Sequence, residues 1–381
     1  MADSAIMELV KLGHRDGRWS QEFPTLDSTA TLVLAFCSPT ADPAALAELA
    51  GAFPTSVVIG CSTSGEIDQT RVIDDSITVA VARFAATRVQ LAHASLANET
   101  SEAAARAGRT IAEALRADDL RAVLVLSDGT KVDPSALVRG LGIELPGTVV
   151  TGGFAGDGNR FARTWVLANG RAECNTVVAV GLYGDRLRVT HGSRGGWDAF
   201  GPERLVTSSC GNVLYALDGR PALALYKEYL GDRAAELPSA GMWFPLSLRE
   251  SRDATSTLVR TVLAVDEATQ SITVGGDMPI GGYAKLMYAN FDRLILGAQA
   301  AGKMAAGAHD GPTLSIAISC VGRRLVLGAR AEEEIEATLE SLPKGTVQVG
   351  FYSYGEIAPL AAGRCELHNQ TMTLTVISEA A

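Results

Sequence analysis

The chain has 381 residues, 47% of them hydrophobic and 20% charged, with 39 glycines and a formal net charge of −10. Its length exceeds one ordinary core and implies two domains, and its composition is globular rather than disordered. The acidic balance argues against a nucleic-acid surface, which needs clustered Lys and Arg, and against an anionic membrane face.

The first 19 residues lack a basic region followed by an apolar stretch, so no signal peptide is expected. Apolar runs such as 123–126 have the length of strands, not of membrane spans. The six cysteines, at 37, 61, 174, 210, 320 and 365, include no C-x-x-C pair. They read as free thiols in a reducing compartment, and a cytoplasmic location is the expectation.

In chain order, the first strong element is LVLAFCSPTADPAAL (32–46), which returns as VLVLSDGTKVDPSAL (123–137). Each opens on four apolar residues, the pattern of a buried strand, and runs through a polar loop into Asp-Pro. Asp42 and Asp133 are placed to cap a helix, and Pro43 and Pro134 suit the first helical position, where no amide hydrogen is needed. A second apolar run follows each predicted helix and ends in glycines: VVIGCSTSGEI (57–67) and TVVTGGFAGDGNR (148–160). VQVGFYSYGEI (347–357) repeats the pattern, and Gly60/Gly65, Gly153/Gly158 and Gly350/Gly355 share the spacing G-x-x-x-x-G. The third copy is preceded by a strand at 314–320 and a helix at 331–342. Every copy is followed by another strand, at 76–84, 176–184 and 371–378. The competing reading is chance similarity of glycine-rich loops. The matched Asp-Pro and Gly-Glu-Ile positions favour one duplicated strand–helix–strand unit.

Between the copies, 88–96 is a further strand and 101–117 a helix with Ala104, Gly108, Ile111 and Leu115 on one stripe. RTWVLANGRAEC (163–174) is a hairpin on its Asn-Gly turn, and 182–192 reads as another. The second half offers a hairpin over 258–276 and a helix over 292–307. The fold class is α/β (α+β), with mixed, largely antiparallel sheets layered with helices. An N-terminal extension (1–29) is expected before domains at 30–220 and 221–381.

CGNVLYALDGRPALALYKEYLG (210–231), with VIGCSTSGEI and the GGFAGDG turn, resembles the FIST N-terminal domain. GFYSYGEIAPL (350–360) and CELHNQTMTLTV (365–376) resemble its C-terminal partner. The resemblance covers residues 30–378. It implies a sensory protein of signal transduction that binds a small molecule and is not an enzyme. No residues remain for an output domain, so output is expected through a partner signalling protein such as a histidine kinase. Some stand-alone members resemble haem-based nitric oxide sensors, which implies haem b as a cofactor. No nucleic-acid or membrane partner follows, and homo-oligomerisation stays open.

Two groups of residues carry candidate chemistry. The glycine turns supply polar atoms from Cys61, Ser62, Ser64, Glu66, Tyr352, Ser353, Tyr354 and Glu356 at strand ends, where α/β proteins place ligands. Simple tight turns between layers are the competing reading. Cys61 also gives the enzyme alternative, a cysteine-dependent hydrolase or transferase, although nothing in the sequence sets a histidine beside it. The second group surrounds His191. By strand alternation His93, His191 and His368 fall on apolar faces. His191 is the first choice as haem ligand and His368 the second. Glycines after His191 would leave room for a porphyrin, Arg194 would pair with a propionate, and Trp197 would form a wall. A small metabolite such as an amino acid is the rival ligand. GAQAAGKM (297–304) has phosphate-loop spacing, but Met304 replaces the required hydroxyl, so it reads as core helix.

Overall fold

The computed structural model describes residues 6–145, 147–309, 311–360 and 363–380. Strands Thr31–Cys37 and Leu314–Cys320 are buried at every position, and Leu120–Ser127 exposes Arg121 alone. Alternate side chains enter different cores: Leu32, Leu34 and Phe36 on one face, Val33, Ala35 and Cys37 on the other. Cover on both faces is why these runs are continuously apolar instead of alternating.

Asp42 and Asp133 accept hydrogen bonds from the Ala44 and Ala136 amides and start the helices Pro43–Ala52 and Pro134–Glu144. Each helix returns the chain to a strand parallel to the first. Thr31–Cys37 thus pairs with Val57–Ser62, and Leu120–Ser127 with Val149–Phe154. In the third copy two helices, Val321–Leu327 and Ala331–Glu340, make the same crossover from Leu314–Cys320 to Val347–Ser353. Antiparallel strands Ser76–Arg83, Thr176–Tyr183 and Met372–Glu379 flank the other side of each first strand.

After each glycine turn the chain leaves its own sheet as a hairpin. Glu66–Asp68 and Arg71–Ile73 extend the third sheet at Val347–Ser353. Val166–Ala168 and Arg171–Glu173 extend the first at Val57–Ser62. Glu356–Pro359 and Cys365–His368 extend the second at Val149–Phe154. The exchange is cyclic, and with the strands Glu8–Arg15, Arg88–Ser95 and Leu187–Arg194 the three sheets share one six-strand order, which Arg18–Trp19 extends in the first. The second and third sheets therefore take strands from both sides of residue 220. Their inner faces meet in a central core where Phe36 stacks on Phe351 at 4.9 Å.

Two readings of the sequence are corrected. Residues 182–192 do not form a hairpin. Thr176–Tyr183 already has Leu120–Ser127 and Arg88–Ser95 on its two edges, so the chain passes on to the third sheet. The glycine of the second unit that corresponds to Gly60 and Gly350 is Gly152, not Gly153. These three pair with Ala35, Ala317 and Val125 in the parallel ladders. A Cβ there would lie 1.9, 1.7 and 1.8 Å from the carbonyl oxygen of Ala35, Ala317 and Val125 respectively.

A fourth sheet, built from strands between Asp198 and Tyr288, is inserted after Leu187–Arg194 and packs its own core around helix Ala222–Leu230. The chain then returns as helix Phe291–Ala305, which runs unbroken through the GAQAAGKM segment.

Candidate ligand-binding site

The three glycine turns converge, because each marks the point where a hairpin crosses into the next sheet. Ser64 N donates to Tyr352 O (2.8 Å), Tyr352 N to Gly65 O (2.9 Å), Gly156 N to Ser62 O (2.9 Å) and Tyr354 N to Phe154 O (3.0 Å). Buried Glu66 accepts from the hydroxyls of Thr63 and Ser76 and from the Ser76 amide. Burial raises its pKa from 4.5 to about 7, against the pull of those donors. Glu356 repeats the arrangement with Ser353 Oγ (2.8 Å), Thr371 Oγ1 (2.7 Å) and Thr371 N (3.2 Å), and burial raises it to about 8.

The other turn residues are engaged as well. Ser62 Oγ accepts from the Trp165 amide (3.1 Å) and Ser64 Oγ from the Gly158 amide (3.1 Å). The Tyr352 hydroxyl donates to Glu334 (2.9 Å), which is paired with fully buried Arg323. The Tyr354 hydroxyl donates to Asp157, and Phe161 stacks on its ring at 4.5 Å beside a surface cavity. The sequence-predicted turn residues thus come together, and their polar atoms fasten the hairpins. Cys61 is fully buried among them, and burial pushes its thiol well above the usual range, so no thiolate is present at neutral pH.

His191, Arg194, Trp197 and His368 come together elsewhere, in a cavity of about 530 Å³ where the inserted sheet leaves the third sheet. His191 Nδ1 is buried there without a hydrogen-bond partner among the described residues. Burial lowers the His191 pKa below 6.5, so the ring is neutral at pH 7. His368 lies deeper. Its Nε2 meets Ala358 O at 3.1 Å, which makes Nε2 the donor and leaves the lone pair on Nδ1. Burial lowers its pKa to about 4. Arg194 is exposed at the rim and forms no ion pair among the described residues. Trp197 Nε1 donates to Gln370 O (2.8 Å), which fixes the indole as a wall.

The glycines beside His191 do not supply the space. A Cβ at Gly192 would lie 2.0 Å from Ala301 O, and at Gly196, with φ +82°, 2.1 Å from Arg293 O. They let helix Phe291–Ala305 press against the strand. The room comes instead from the gap under the inserted sheet, whose Thr255, Ser256, Thr257, Val259 and Met287 form the opposite wall. Sequence reasoning missed these five, because no pattern at 255–259 or around Met287 ties either segment to His191. His93 shares a face with Val89 and Leu91 as expected, but it sits beyond the end of the core and is exposed. No cluster of three or more His, Cys, Asp or Glu among the described residues is placed to hold a bare metal ion.

The sequence matches the FIST N domain over residues 31–220 and the FIST C domain over residues 222–359. The chain belongs to the FIST family. FIST domains are sensory modules of signal transduction without catalytic machinery, and the sealed Cys61 thiol accords with that. The cavity of this FIST protein takes His191 and Trp197 from the FIST N match and Val259 and Met287 from the FIST C match. Two proteins of Mycobacterium tuberculosis, from strains CDC 1551 / Oshkosh and ATCC 25618 / H37Rv, are each 28% identical to it over 264 residues, 66% of this chain and 67% of theirs. A protein of Mycobacterium bovis (strain ATCC BAA-935 / AF2122/97) is 27% identical over 269 residues, 66% of each chain. All three bear the name uncharacterized protein. Among the described residues no helix is long and apolar enough to cross a membrane.

Proposed function

We propose that this FIST protein is a cytoplasmic sensor that binds a small carboxylate-bearing ligand in the His191 cavity. It passes the signal to a partner protein, such as the histidine kinase of a two-component system, by changed contact. One observation carries this reading: His191 Nδ1 is a buried polar atom with no partner among the described residues, in the wall of a cavity whose rim holds the Arg194 guanidinium, which forms no ion pair among them. An unsatisfied buried nitrogen costs roughly 1–3 kcal/mol, and a ligand that meets it recovers that cost. Arg194 suits a carboxylate at the entrance, since a guanidinium matches it with two parallel N–H groups.

Haem b meets both requirements. Neutral His191 would hold the iron, Arg194 a propionate, and Trp197, Val259 and Met287 would flank the ring. Bound there, haem supplies a metal that takes a diatomic gas such as nitric oxide. His368 stands second because its Nε2 is already committed to Ala358 O. The hydroxyls of Ser193, Thr255, Ser256 and Thr257 favour the rival occupant, an amino acid, whose ammonium they would solvate.

Titration of the full chain with haem, followed by its Soret band, separates the two. Haem predicts a saturable band whose position shifts in His191→Ala. No Soret change in wild type, together with thermal stabilisation by an amino acid that Arg194→Ala abolishes, replaces haem with the amino acid. Failure of both ligands refutes the site.

A further inference from the structure

A second cavity, of about 460 Å³, lies on the other side of the short strand Leu258–Arg260. Val259 faces the His191 cavity, whereas Leu258 and Arg260 face this one. Its innermost charged group is Arg260, only 4% exposed. Removing a guanidinium from water costs several kcal/mol unless an anion or a full set of acceptors compensates it. Arg260 is compensated only in part. Its Nε donates to Asp277 O (3.2 Å), and its Nη1 to Val259 O (3.2 Å) and Leu367 O (3.1 Å). Nη2, with two N–H groups, finds no acceptor among the described residues, and Arg260 makes no ion pair there. The carboxylates around it are engaged elsewhere: Asp277 with Arg139, and Glu250 and Glu366 with Arg364. Burial lowers the Arg260 pKa to about 10, which still leaves it charged at neutral pH.

The other charged residues of the wall, Arg139, Arg364, Glu250, Asp277 and Glu366, are paired with one another, and apolar side chains make up much of the remainder. Val138, Leu248, Leu258 and Leu367 line the interior, and Ile143, 66% exposed, stands at the mouth on helix Pro134–Glu144. One open guanidinium edge beside these apolar side chains, with the other charges already paired, calls for a single negative charge on an apolar body. A phosphate would need more donors than Nη2 provides, since Arg139 and Arg364 are already taken by carboxylates. Its multiple charge would also be repelled by Glu250, Asp277 and Glu366.

We propose that this cavity is a second ligand site, which takes a small organic acid with a hydrocarbon body and holds its carboxylate on Arg260 Nη2. It shares the strands Leu258–Arg260 and Cys365–His368 with the His191 cavity, and the proposal does not rest on what binds there.

Isothermal titration of the full chain with octanoate tests it, with acetate and inorganic phosphate as comparisons. Octanoate is expected to bind more tightly than either. Arg260→Gln should weaken it roughly 10- to 100-fold, the loss of a charge-assisted hydrogen bond. Gly142→Leu provides an arm that leaves the buried charge alone. A Cβ at Gly142 meets nothing within 4 Å, so the leucine would occupy the mouth while favouring its helix, and octanoate should weaken roughly tenfold without loss of stability. No octanoate binding at millimolar concentration overturns the proposal, as does binding unchanged in the folded variants. Tighter binding of phosphate overturns it too. Octanoate binding lost in Arg194→Ala but retained in Gly142→Leu would put the ligand in the first cavity and equally overturn it.

Discussion

Glu356→Gln tests whether the carboxyls of the glycine turns are structural groups held neutral in the fold. Burial raises Glu356 from 4.5 to about 8 in the folded protein, and unfolding returns it to its ordinary value. The folded state therefore binds this proton more tightly than the unfolded chain. The stability that the proton confers is complete below pH 4.5, falls as pH rises, and is gone above about 8. A tenfold change in proton affinity is worth about 1.4 kcal/mol, so between about pH 5.5 and 8.5 the loss amounts to at most roughly 3 kcal/mol. Glutamine keeps the shape and the oxygen that accepts from the Thr371 amide and hydroxyl, and it cannot ionise. Ser353 Oγ can turn its proton toward Ser319 O (3.3 Å) and accept from the new amide. Urea unfolding of both proteins at the two pH values provides the measurement. The wild type should lose about 3 kcal/mol more than the variant, which should be the more stable protein at the higher pH. Parallel losses would show that Glu356 is ionised in the fold and would refute the reasoning.

Three further outcomes follow from named contacts. Gly60→Ala should destabilise the protein by roughly 2–3 kcal/mol in urea, because its Cβ would meet the Ala35 carbonyl at 1.9 Å. Gly51→Ala, with nothing within 4 Å on helix Pro43–Ala52, should be neutral or stabilising, and equal losses would sink the argument. Exposed Cys210 should react with a disulfide reagent such as dithionitrobenzoate in the native protein, whereas Cys37, Cys61 and Cys320 should react only after unfolding; native labelling of Cys61 would revive thiol chemistry. Arg260→Met should raise the His368 pKa above about 4, since the Arg260 charge opposes protonation of that ring, and an unmoved imidazole titration by NMR would contradict the placement of the two cavities.

The sequence discloses what short-range physics decides. Asp42-Pro43 and Asp133-Pro134 announce helices because the cap and the first helical position are local requirements. The continuous apolar runs announce strands covered on both faces. The exchange of hairpins was hidden, because Glu66–Asp68 finds its partner Val347–Ser353 far along the chain, and the apolar pattern of one strand fits many neighbours. The same gap explains the one-residue slip from Gly152 to Gly153, where two adjacent glycines left the register undetermined. Strand alternation was enough to single out His191 and His368, but their meeting in one cavity depends on pairings across sheets. Arg260 did carry a signal. A lone charge inside the run LVRTVL is a residue that a strand must either expose or compensate, and here it is buried.

Both cavities lie where the repeat is broken. In the second unit, strand Arg88–Ser95 is followed closely by helix Ser101–Leu115, which packs back on it. In the third, helix Phe291–Ala305 packs on Leu187–Arg194 in the same way, but only after the inserted sheet has intervened. The central core is therefore closed without the insert, which rests on it through contacts such as those of Leu258–Arg260 with Cys365–His368. That short strand lies between the two cavities, so a ligand placed in either would touch the insert on one side and the cyclic core on the other. A ligand shifts a conformational equilibrium only by the difference in its contacts between two states. Here the contacts that can differ are those bridging insert and core. On the proposed function, the element expected to move is accordingly the inserted sheet, relative to the threefold core fastened by its exchanged hairpins.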